Sequence, residues 1–160
     1  MKVALLSATA LVLNLSTSAQ TTPAAHDPAI VFATPELQAQ IGTLAGLAKT
    51  KGSAGVTLED YGTYKIQLSV RTRSGGAEVH AYWDDLMTVE EGSATLITGG
   101  TVVDGKTDAD GETHGAKIDG GHSQVIHPGD VLTIRAGTPH QLILEPGVVY
   151  GAVVVKIHEP

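Results

Sequence analysis

The sequence predicts an all-β domain, a sandwich or barrel, preceded by one helix. Three observations carry that reading. Residues 64–71 alternate with a period of two, as do segments around 93–98, 131–135, 141–145 and 149–157. Each of these runs is bounded by Gly, Pro or Asp. Helical spacing occurs at one place, where Leu37, Ile41, Leu44 and Leu47/Ala48 recur. Many short strands with glycine-rich turns point to the sandwich or barrel class. At 160 residues, 42% of them apolar and 17% charged, the chain suits one globular domain rather than two.

Taken in order, Met1-Lys2 is followed by an apolar run from Val3 to Leu15 and then by Thr17-Ser18-Ala19. This reads as a secretory signal peptide over 1–19, cut after Ala19, because the apolar run is too short to span a bilayer comfortably. The expectation is an exported protein, periplasmic or extracellular, with no membrane association after cleavage. The chain has no cysteine, so disulfides, a lipid anchor and thiolate-bound metal are all excluded. The formal net charge of −7 becomes −8 when Lys2, the sole charged residue of the first nineteen, is removed. An acidic chain without a basic stripe excludes nucleic acid as a partner.

Residues 20–33 mix Thr, Pro, Ala and Asp without a period and read as a flexible leader. Thr34 as N-cap, Pro35 at the first helical position and Glu36 in the first turn start an amphipathic helix over 35–49, within a segment 34–50. Gly52-Ser53-Ala54-Gly55 ends it, and the barrel domain is expected over 56–160. Residues 99–121, GGTVVDGKTDADGETHGAKIDGG, read as a long solvated hairpin loop. Asp108-Ala109-Asp110-Gly111 is no EF-hand, since Lys106 and Lys117 stand where acids are required.

Two segments carry the chemistry. The first, GGAEVHAYWDDLMTVEEG over 75–92, alternates Glu78, His80 and Tyr82 before Asp84, Asp85 and Gly92. The second, PGDVLTIRAGTPHQL over 128–142, has Gly129, a tight turn at Ala136-Gly137-Thr138-Pro139, and His140. Together they resemble the two motifs of the cupin superfamily, in particular its small single-domain bacterial members, over roughly Tyr64 to His158. In that register Asp85 takes the glutamate position, His80 the second histidine and Glu78 the first, with Arg135 at the usual turn proline. A second register makes His80 the first histidine and Tyr82 the second.

The resemblance implies a cupin-type jelly-roll β-barrel with any metal inside it, held by side chains from both motifs. Glu78, His80 and Tyr82 are two residues apart, so on one strand they share a face, and buried polar groups there need partners that a metal ion would supply. The expected ligands are Glu78, His80, Asp85 and His140, a mixture suited to Mn(II), Fe(II) or Zn(II). Tyr82 and Glu78 are the candidate catalytic groups, and His122, after Gly120-Gly121, is a candidate ligand contact. Trp83 points away from that face and reads as a packing or dimer-interface residue. Of Asp84 and Asp85, on opposite faces, one is internal and the other forms a turn or faces solvent. Gln141 faces away from His140. His26, His114, His127 and His158 read as structural or exposed.

The leading function is a metal-dependent enzyme on a small polar molecule, of isomerase, lyase or dioxygenase type. The alternatives are a small-ligand-binding or sensing cupin, with or without metal, and a metal-free barrel with a hydrogen-bonded core network. A homodimer is expected, with Val153-Val154-Val155 contributing to its interface.

Overall fold

The structure, a computed structural model, describes residues 29–160. The expected signal peptide and residues 20–28 of the expected leader, His26 among them, lie outside the described residues.

Helix α1, Thr34–Lys51, starts one residue earlier than Pro35, with Ala33 in extended conformation as an N-cap that makes no side-chain cap bond. Leu37, Ile41, Leu44 and Ala48 form its buried stripe, while Leu47 is 62% exposed. Gly52, at φ 92, ends the helix and donates its N–H to the Ala48 carbonyl at 2.6 Å.

The strands are β1 Ser53–Asp60, β2 Tyr64–Arg71, β3 Ala77–His80, β4 Trp83–Glu91, β5 Ala94–Thr98, β6 Thr101–Val103, β7 Lys106–Thr107, β8 Glu112–Gly115, β9 Lys117–Asp119, β10 His122–Ile126, β11 Val131–Ile134, β12 His140–Ile143 and β13 Tyr150–His158. Two readings are corrected here. Residues 53–55 do not form a break before the barrel, because Gly52 alone reverses the chain and β1 starts at once, pairing Ser53 with Arg71. Residues 99–121 are no open loop: they fold into β6 to β9, tied by β6–β9 and β7–β8 ladders and by β8 pairing with β3.

All pairings are antiparallel. One sheet runs β1-β2-β13-β4-β11 and the other β10-β5-β12-β3-β8-β7, with β6-β9 as a small third. The side-chain period of two divides β2 in an informative way. Leu68 and Val70 face outward and pack with Ile41 and Leu44 of α1. Gln67, Ser69 and Arg71 therefore face inward, where they line the cavity between the sheets. An apolar cluster built by Met87, Val89, Leu96, Ile126, Tyr150 and Val154 among others fills much of the interior. Burial among them pushes the Tyr150 phenol up to about 12. Val153, partly buried, packs toward α1, and Val154 is buried in the core.

Gly92, which closes β4, has φ 70, and a Cβ there would lie 2.0 Å from the Val149 carbonyl oxygen. Neither the left-handed backbone nor the backbone contact tolerates a side chain. Gly92→Ala is expected to cost at least about 2 kcal/mol in urea denaturation. A loss within error of zero would show that the 92/149 approach relaxes freely.

Candidate metal centre

The six-stranded sheet brings three ligand side chains together. Glu78 and His80 stand two apart on β3, and His140 begins β12 directly opposite Glu78 in the ladder. One ligand atom from each of Glu78, His80 and His140 lies within 4.8 Å of the others. The two imidazole rings are 5.0 Å apart, centroid to centroid.

The outer nitrogens of both rings are engaged. His140 Nδ1 donates to the Thr138 carbonyl at 3.0 Å, an acceptor that requires the proton on Nδ1 and leaves Nε2 with a lone pair. His80 Nδ1 bonds the Glu112 carboxylate, which sits opposite His80 in the β3–β8 ladder. In the neutral ring that bond selects the same tautomer, with the Nε2 lone pair turned inward. Outer-nitrogen bonds of this kind orient histidines that ligate metals. Among the described residues, Glu78, His80 and His140 can hold a metal ion on the chemistry of their donor set alone.

Asp85 was expected as a fourth ligand. It comes from β4 in the other sheet, and its Oδ2 is 3.4 Å from His80 Nε2. Its Oδ1, however, accepts a 2.7 Å bond from Lys156 Nζ, its direct cross-strand neighbour on β13. Asp85 is thus an internal ion-paired carboxylate at the rim of the ligand set. Asp84, on the opposite face, accepts the Ala136 N–H at 2.6 Å and fixes the turn before His140.

Tyr82 does not reach the interior. β3 stops at His80, and the chain bends at Ala81, whose N–H is held by the Gly111 carbonyl at 3.1 Å. The alternation that would align Tyr82 with Glu78 and His80 is broken there, and Tyr82 is 54% exposed beside His158. Restarting the count at β4 also turns Trp83 to the same face as Asp85. It lies under Lys65, 4.4 Å from ammonium to ring, with His158 against its edge. His122 opens β10 opposite Thr98, where it is exposed and outside the residues that line the cavity. Gln141 turns from His140 as expected, accepting from the Ile118 N–H and donating to the Gly75 carbonyl. His114 and His127 are exposed.

Three contributors escaped the sequence reading. Arg71 Nη2 donates to Glu78 Oε1 at 3.0 Å, Lys156 holds Asp85, and Glu112 holds His80. Glu112 is delivered by Asp108, whose Oδ1 accepts the N–H groups of Asp110 and Glu112. The acidic tetrapeptide that tempts a calcium reading is an Asx-type turn that aims a carboxylate.

The ionisable groups shift one another. Burial works to raise the Glu78 and Asp85 carboxyls, but facing charges outweigh it: Arg71 and His140 hold Glu78 below its ordinary value, and His80 and Lys156 do the same for Asp85. For His80, burial disfavours the charged ring, yet its bonds to Asp85 and Glu112 carry it above the usual value. His140 is lowered, chiefly by burial, with His80 adding to the effect.

No protein-family model and no curated protein matches the chain. Solved structures do. TT1209 from Thermus thermophilus is similar at 16% identity and a TM-score of 0.50, over 69% of this chain and 87% of that one. The cupin domain of Cnp3 from Schizosaccharomyces pombe matches at 4% identity and a TM-score of 0.50, over 67% of this chain and 61% of its own. The polyketide cyclase RemF from Streptomyces resistomycificus has 20% identity and a TM-score of 0.48, with 69% of each chain covered. Identities this low speak for fold alone. By its antiparallel sheets and its likeness to the Cnp3 cupin domain, the chain has a cupin-type jelly-roll fold.

Proposed function

We propose that the protein is a metal-dependent cupin enzyme acting on a small polar molecule, with Glu78, His80 and His140 holding one divalent transition ion. The observation that carries this is the convergence of three ligand atoms, two from imidazoles with engaged outer nitrogens, on the wall of an internal cavity. Two imidazoles and a carboxylate suit Mn(II), Fe(II) or Zn(II). Such an ion supplies Lewis-acid polarisation of a substrate oxygen.

The chain's own groups supply the remainder. Thr138 and Glu112 orient the two imidazoles, and Asp85, lining the same cavity beside His80, is the proton acceptor in this reading. Its lowered pKa makes it a weak base, which would suit a substrate proton made more acidic by a bound ion. Export to the periplasm or beyond and homodimerisation complete the proposal, resting on the sequence and the fold class.

A specific observation favours a second reading, a ligand-binding or sensing barrel: Glu78 Oε1 is already taken by Arg71. Metal content separates the two. The mature protein, purified without chelator or added metal, is expected to carry near-stoichiometric transition metal by mass spectrometry, lost in His80→Ala and in His140→Ala. Solvent deuterium incorporation into small hydroxy and carbonyl compounds should then require both the metal and Asp85. No metal in the wild type, and none taken up on reconstitution, removes the enzyme reading.

A further inference from the structure

Resting on the homodimer named above, we propose that two copies of the chain join through the free edge of β1, antiparallel about Gly55, so that their five-stranded sheets become continuous. At the ends of the two large sheets stand β1, β11, β10 and β7. The last three are short, with four, five and two residues. β1 has eight, and from Ser53 to Leu58 it carries neither charge nor proline. Soluble domains blunt an edge by shortness, charge or proline, and a long neutral edge is a template for another strand.

The backbone sets the register. Thr72 N–H donates to the Gly52 carbonyl at 2.9 Å, one step beyond the Ser53–Arg71 pair of the β1–β2 ladder. Bonded and non-bonded pairs alternate in an antiparallel ladder, so Ala54 and Val56 bond β2 while Ser53, Gly55 and Thr57 turn their N–H and C=O groups outward. Two such edges interlock with Gly55 on a two-fold axis and Ser53 of each copy opposite Thr57 of the other, through about six backbone bonds. Gly55 leaves the axis free of side chains.

The side chains fit the same register. Ala54 and Val56 share the helix-covered face, because their ladder partners Val70 and Leu68 pack there. In the pair, Val56 of one copy lies opposite Ala54 of the other, at the groove that Leu44, Leu47 and Ala54 line. Val56 and Leu47 are 41% and 62% exposed in the single chain, and this contact covers both. The β-bulge between Thr57 and Glu59 turns Glu59 to the helix face as well, opposite Ile66. Glu59 of one copy then arrives beside Lys51 of the other. Within one chain the length of β1 holds these two roughly 20 Å apart, and neither enters an ion pair among the described residues.

The test is sedimentation velocity of the mature protein at micromolar concentration, with amide hydrogen exchange read by NMR. The wild type should be a dimer in which the Ser53, Gly55 and Thr57 amides are protected. Val56→Lys places a charge at an exposed edge position and should give a monomer whose same three amides exchange freely. Lys51→Glu sets like charges against each other at both ends of the paired strands and should weaken the dimer about tenfold. Adding Glu59→Lys to it should restore the wild-type affinity, and only contact between copies can produce that rescue. A dimer that persists in Val56→Lys, with the three amides unprotected, overturns the β1 edge while leaving the homodimer standing. A monomeric wild type defeats the homodimer itself. Should Val56→Lys fail to fold, the charge reversal and its rescue decide alone, and a dimer indifferent to both overturns the inference.

Discussion

Asp85→Ala will destabilise the metal-stripped protein by about 3 kcal/mol at neutral pH, measured by urea denaturation. The substitution leaves Lys156 as an unpaired ammonium between the sheets and takes an acceptor from His80. Breaking a buried pair from one side costs about 3 to 5 kcal/mol, and the lower end applies because 17% of the Lys156 side chain reaches solvent. The deficit has a pH signature. The Asp85 carboxyl is held below its ordinary 3.8 in the folded protein, so its contribution is fully present above 3.8 and disappears as pH falls through the lower, folded value. The gap between wild type and Asp85→Ala should therefore narrow in acid. A difference under about 1 kcal/mol at pH 7, or a gap that widens in acid, would show that the pair is not a determinant of the fold.

The ladder registers explain which parts of this site were legible in the sequence. β2, β5, β11, β12 and β13 announce themselves by alternation, and Glu78, His80 and His140 emerge from motif spacing as a set that the β3–β12 pairing then joins. Tyr82 was misplaced because alternation was carried through a bend that only the Ala81 to Gly111 hydrogen bond reveals. Asp85 was legible as an inward acid, but its pairing with Lys156 depends on β4 lying beside β13, far along the chain, and no local pattern encodes that register. Arg71 escaped for a different reason. Its strand was recognised, yet Leu68 and Val70 look like the core face until α1 is seen to cover them, which sends the polar half of β2 inward. Glu112 lay in a stretch whose polarity reads as solvent loop. The signal that was present there is the Asx turn at Asp108 followed by the alternation of Glu112, Thr113 and His114.

Glu112 is also where the largest effect on metal binding is expected. Its carboxylate accepts a hydrogen bond from His80 Nδ1–H, so it both fixes the ring and selects the tautomer whose Nε2 can ligate. Glu112→Gln keeps the shape but presents an uncharged amide, and metal affinity measured by chelator competition should fall about tenfold. Glu112→Ala frees the ring altogether, and the fall should approach about a hundredfold. A purely structural role predicts something else, because Glu112 lies on β8 near the edge of the six-stranded sheet, where it stabilises little beyond the β3–β8 ladder. The urea midpoint of the stripped protein should therefore move little in Glu112→Gln while the metal affinity moves about tenfold. If both shift together, Glu112 supports the strand rather than the ligand. If neither shifts, His80 takes its orientation from Asp85 and from packing against His140, and the Asx turn that delivers Glu112 has no part in the centre.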